Sequence, residues 1–102
     1  MNDRRKQLQS ILEEMIGNKN VYYQPPESLK MVYPCIKYTK DNISSERADN
    51  INYRNTDRYQ ITVIDKKPDN VVIKAILGLP MSSYDRHYVS DNLNHDIIII
   101  YY

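Results

Sequence analysis

Apolar residues near the start of the chain fall at Leu8, Ile11, Leu12 and Met15, with charged and amide side chains between them. That i, i+3, i+4, i+7 spacing paints one stripe along an α-helix. Asn2 or Asp3 can cap its start and Gly17 its end, so the spacing predicts a helix over residues 3–16. The period then changes. Val21, Tyr22 and Tyr23 favour a short strand, which Pro25 and Pro26 stop. "ESLKMVYP" reads as an extended lead-in to "PCIKYTKD", where Ile36 and Tyr38 alternate with Lys37 and Thr39. "RYQITVID" is the clearest strand, with Tyr59, Ile61 and Val63 on one face. "PDNVVIKAILGLP" predicts a short helix. Pro68 suits its first turn, Gly78 and Pro80 close it, and Val72, Ile76 and Leu79 face the sheet with Ile73 and Leu77 widening the stripe. "SSYDRHYVSD" places Tyr84, Arg86 and Tyr88 on one face and Asp85, His87 and Val89 on the other. "DIIIIYY" is apolar at nearly every position. The order α-β-β-β-α-β-β predicts an α+β fold. It is a single domain over residues 1–102, with a small, mostly antiparallel sheet of four to five strands and two helices packed on one face.

Two stretches do not fit that scheme simply. Residues 41–57, "DNISSERADNINYRNTD", are mostly polar and follow neither the helical nor the strand period. They read as a long loop, either a mobile arm that orders on assembly or the tip of a long hairpin. The final strand is apolar on both faces: Ile97, Ile99 and Tyr101 point one way, Ile98, Ile100 and Tyr102 the other. One face can pack under the helices. The other calls for cover, by a second subunit or by loop 41–57 of the same chain. The candidate interface residues are Arg47, Ile51, Tyr53 and Arg54 in the loop and Ile98, Ile100 and Tyr102 on the strand. Arg and Tyr are frequent interface anchors.

Composition narrows the function classes. A net charge of +1 does not suit a dedicated nucleic-acid binder. The cluster Arg4, Arg5, Lys6 reads as a solvated helix face, with DNA binding through it and exposed tyrosines as the rival. The longest apolar run is six residues, Ile97 to Tyr102, too short to span a bilayer, and no signal peptide is apparent. Cys35 is the one cysteine, so no intrachain disulfide can form and a reducing compartment is the simplest context. The aromatic usage is skewed, with ten tyrosines and no Trp or Phe. Tyrosine joins an apolar ring to a polar tip and suits surfaces shared between core and interface.

The segment "SSYDRHYVSDNLNHD" holds two histidines and three aspartates. His87 and His95 flank the turn "SDNLN", and Asp85 lies two residues before His87, so a His87, His95, Asp85 trio could hold a metal for a small hydrolase. The spacing matches no recognised ligand pattern. The simpler reading is architectural: Asp91, Asn92 and Asn94 satisfy the turn, Arg86 pairs with an aspartate across the strands, and the histidines fix the hairpin by local hydrogen bonds.

The blocks "QPPES", "YPCI", "RYQ.TVID" and "DRHY.SDNLNHD", in that order between Val21 and Tyr102, resemble a family of small proteins of tailed bacteriophages and prophages of Gram-positive bacteria. Its members are described as tail completion, tail terminator or head–tail joining proteins. The resemblance implies a structural protein of the virion, assembled in the host cytoplasm and placed at the tail–head junction. It implies a ring of copies, commonly a hexamer, that caps the major tail tube protein, meets the head-connector or stopper protein, and lets DNA pass through its lumen without specific binding. It carries over no catalytic residue, cofactor or metal. Another neck or head-completion protein of the same region fits the same blocks.

Overall fold

A computed structural model of the protein describes residues 3–26, 28–48, 51–68 and 70–102. For residue 3 and for residues 42–48 and 51–56 it describes the backbone alone. The helix α1, Asp3–Ile16, forms where its stripe demands: Leu8 and Leu12 are fully buried, and Met15 and Ile16 pack beside them. Gly17 ends it at φ +79, a left-handed conformation that costs glycine no Cβ clash, and its N–H returns to the Glu13 carbonyl at 3.0 Å. The strands are β1 (Val21–Tyr23), β2 (Cys35–Ala48), β3 (Ile51–Asp65), β4 (Ser82–Ser90) and β5 (Leu93–Tyr101), with α2 (Val72–Leu77) between β3 and β4. The fold is α+β in the order α-β-β-β-α-β-β.

The sheet runs β1-β2-β3-β5-β4. β1 lies parallel to β2, and the other pairs are antiparallel. The register puts one set of side chains on the helix side. Ile36 stands opposite Val63, Tyr38 opposite Ile61, Ile61 opposite Ile98, and Tyr59 opposite Ile100. Together with Leu8, Leu12, Val72 and Ile76 these residues make the core, so both helices cover the same face. Tyr38 and Tyr59, 0% and 1% exposed, contribute the largest buried side chains, with ring centroids 5.9 Å apart in an edge-on arrangement. The Tyr38 hydroxyl reaches Gln9 and accepts from Arg5 Nη1 at 3.3 Å, so its polar tip is satisfied where the sheet meets α1. Burial pushes its pKa up.

Several expectations change here. Ile98 and Ile100 are 0% exposed beneath the helices, so they are core residues and cannot form the interface assigned to them. Tyr102 packs against the same core and lies under the Arg4 guanidinium, 4.7 Å from its ring centroid. On the opposite face the need for outside cover is also smaller than the pattern implied. Ile97, between Thr62 and Arg86 on the adjacent strands, is only 2% exposed in the lone chain, while Ile99 and Tyr101 are half-buried. Cys35, Thr62 and Ile64 are buried on that side too.

Of the two alternatives for residues 41–57, the hairpin matches what is described: residues 41–48 and 51–57 lie in strands rather than in a loose arm. The β2 and β3 backbones pair in a continuous ladder from Cys35↔Ile64 out to Ala48↔Ile51, with irregularities between Lys40 and Asn42 and between Glu46 and Arg47. Pairing to β5 stops at Arg58↔Tyr101 and pairing to β1 at Tyr23↔Tyr38. Beyond those points the ladder is a two-stranded ribbon leaving the body of the domain, in keeping with a longest dimension of 50 Å against 25 and 23 Å. The candidates Arg47, Ile51, Tyr53 and Arg54 all belong to the ribbon backbone, and their side chains lie outside the described residues.

At α2 the start is set by Asn70, whose Oδ1 accepts from the Val72 N–H at 2.9 Å, rather than by Pro68. Gly78 closes the helix with φ −76, an ordinary right-handed value.

Candidate functional site

The outer hairpin of β4 and β5 turns on Asp91 and Asn92, with φ of +53 and +62. Two successive left-handed residues suit a two-residue hairpin turn, because their twist matches that of the strands. Such a turn sets the register: Ser90 opposes Leu93, Tyr88 opposes His95, and His87 opposes Asp96. The register then slips between Tyr84 and Arg86, so that Arg86 opposes Ile97 while Tyr84 opposes Ile98. Asp85 is the extra residue of a bulge. The bulge breaks the simple alternation and brings Tyr84 onto the same face as His87, not Arg86.

The consequence is a three-residue cluster around Asp96, whose side chain is 10% exposed. The Tyr84 hydroxyl donates to Asp96 Oδ1 at 2.6 Å, and His87 Nδ1 donates to the same oxygen at 2.9 Å. A carboxylate only accepts, so the proton in the second bond belongs to His87 Nδ1. The carboxylate's hydrogen bond, aided by burial and its negative charge, holds the Tyr84 phenol neutral and pushes its pKa up to about 12. Asp96 and Tyr84 also line an open cleft of about 590 Å³ beside α2, with Val71, Ile73, Lys74 and Leu77 opposite.

The proposed metal trio is not brought together. His87 lies on the helix side with Asp96. His95 lies on the other face, stacked on Tyr88 with centroids 4.6 Å apart and planes 7° apart, its Nδ1 3.1 Å from the Leu93 carbonyl oxygen. Asp85 sits at the bulge. Among the described residues no group of three His, Cys, Asp or Glu side chains is placed to hold a metal ion. The architectural reading fits the geometry better, with one correction: Arg86 stands opposite Ile97 rather than an aspartate. Asn94 anchors the hairpin to the end of β3 through the Asp65 and Lys66 carbonyls, at 3.4 and 3.3 Å.

The N-terminal basic cluster is partly engaged within the fold. Arg4 Nε donates to the Tyr102 carbonyl, and Arg5 lies 4.4 Å from the centroid of the Tyr23 ring. Cys35 is fully buried, and desolvation raises its thiol to about 11, which leaves it inert as a nucleophile. No described helix is long and apolar enough to cross a membrane.

Sequence reasoning leaves Tyr84 out of the site and does not pair Asp96 with His87. The signal was present in the Asp91-Asn92 dipeptide: a two-residue turn there pairs residue 87 with 96, not with 95. Nothing in the alternation announces the bulge at Asp85.

No protein-family model matches the chain, and no curated protein matches it.

Proposed function

We propose that this protein is a structural component of a tailed-phage virion that caps the tail tube as a ring and helps join the tail to the head connector. The observation that carries the reading is the β2–β3 ribbon. Among the described residues no third strand pairs with 42–48 or 51–56, and a two-stranded ribbon alone in water is marginally stable at best. A ribbon of this length is suited to completing itself against another molecule, as a neck protein does. The sequence blocks between Val21 and Tyr102 support the same reading, and the near-neutral charge suits a lumen through which DNA slides.

Contact with neighbours is assigned to the ribbon rather than to Ile98 and Ile100. Removal of residues 44–54 tests it. The deletion leaves Asn55 and Thr56 as a two-residue link between the paired Ile43 and Asp57, so the five-stranded body stays closed. The shortened protein is expected to melt as a folded domain yet fail to cap purified tail tubes in electron micrographs. Capping at the full-length level by the deletion variant would refute the role of the ribbon.

A further inference from the structure

Asp96 has an oxygen to spare. Both of its donors, Tyr84 and His87, use Oδ1, and Oδ2 meets no donor among the described residues. The carboxylate is nine-tenths buried and still lines the cleft beside α2, whose facing wall is Val71, Ile73 and Leu77. A largely enclosed carboxylate whose second oxygen opens on the cleft, at the foot of an apolar wall, suits a guanidinium whose alkyl stem lies along that wall. Lys74 is the other charged residue among the described lining, and it is exposed, so its ammonium can remain in solvent. Two of the lining side chains leave apolar surface exposed at the cleft itself, Val71 at 85% and Tyr84 at 45%.

The ribbon supplies a matching group. By register Arg54 stands opposite Glu46, an oppositely charged cross-strand neighbour, whereas Arg47 stands opposite Asn52. The chain's own Arg47 cannot reach its own cleft. Asn52, the ladder partner of Arg47, and Val63, the ladder partner of Asp96, are eleven residues apart on β3. At strand rise that is about 36 Å, and the ribbon points away from the cleft. Arm and cleft therefore occupy opposite ends of the molecule. A contact between them is head-to-tail, the kind that closes into a ring when the rotation per subunit permits.

We propose that the cleft between α2 and the β4–β5 hairpin receives Arg47 of a second copy, with Asp96 Oδ2 as its acceptor. This rests on the ring reading above and names where the arm lands. Two full-length variants, Asn52→Cys, which puts a thiol across the ladder from an intact Arg47, and Lys74→Cys, are mixed and treated with a short bis-maleimide. Cys35, being fully buried, stays out of the reaction. The mixture is expected to give covalent dimer at ten times or more the yield of either variant alone. Separately, Asp96→Asn keeps an oxygen to accept from Tyr84 and His87 but loses the charge. It is expected to weaken self-association at least tenfold, measured by sedimentation, with an unchanged circular dichroism spectrum. Self-association without the mixed cross-link overturns the landing site and leaves the ring standing. A cross-link unaffected by Asp96→Asn overturns the role of the carboxylate. A protein monomeric both alone and with tail tubes overturns the ring reading and the landing site together.

Discussion

Replacing Ile98 with alanine tests the register on which the architecture depends. Ile98 is 0% exposed, with Ile61 and Tyr84 opposite it on the adjacent strands and both helices above the same face. Truncating a fully enclosed isoleucine removes its transfer free energy and leaves a cavity, together about 3 kcal/mol. That is a large share of the roughly 5–15 kcal/mol typical of a domain. With an unfolding entropy of about 0.2 kcal/mol/K for a chain of this length, the melting temperature should fall by about 14 °C. Ile99 is the internal control. It is half-buried on the other face, between Gln60 and Ser83, and its truncation should cost about 1 kcal/mol. Urea unfolding followed by circular dichroism and tyrosine fluorescence reads both variants; the chain has no tryptophan to interfere. Equal losses for the two, or a larger loss at Ile99, would mean that the strand is slipped by one residue and the face assignment is wrong.

Two further outcomes follow from the raised pKa values of Tyr84 and Cys35. Ultraviolet titration should show one tyrosine ionising near 12, absent in Tyr84→Phe. Between its ordinary value of about 10 and that value the folded form binds more protons than the unfolded chain, so the contribution is complete below pH 10 and fades as pH rises to 12. Cys35 should resist thiol reagents in the native state and react on unfolding. Its folded value of about 11 against an ordinary 9 gives the same sign, a loss of stability as pH rises from 9 to 11, which Cys35→Ala should abolish. Fast labelling of Cys35 in folded protein would contradict its enclosure.

The type and order of the elements are legible in the residues. This holds wherever one side of a segment faces the core, because one-sided burial writes a period into the residues: 3.6 for α1 with Leu8 and Leu12, two for β3 with Tyr59, Ile61 and Val63. For the same physical reason residues 42–48 and 51–57 carry no strand period. Their ribbon pairs beyond the body of the sheet, so no alternation is imposed on them. Which isoleucines are enclosed depends on the packing of the helices, since "IIIIYY" is apolar on both faces and carries no preference of its own. The cluster at Asp96 likewise depends on the tertiary structure. A single bulge residue, Asp85, turns Tyr84 toward His87, and a bulge is a property of the paired strands that neither strand's sequence displays alone.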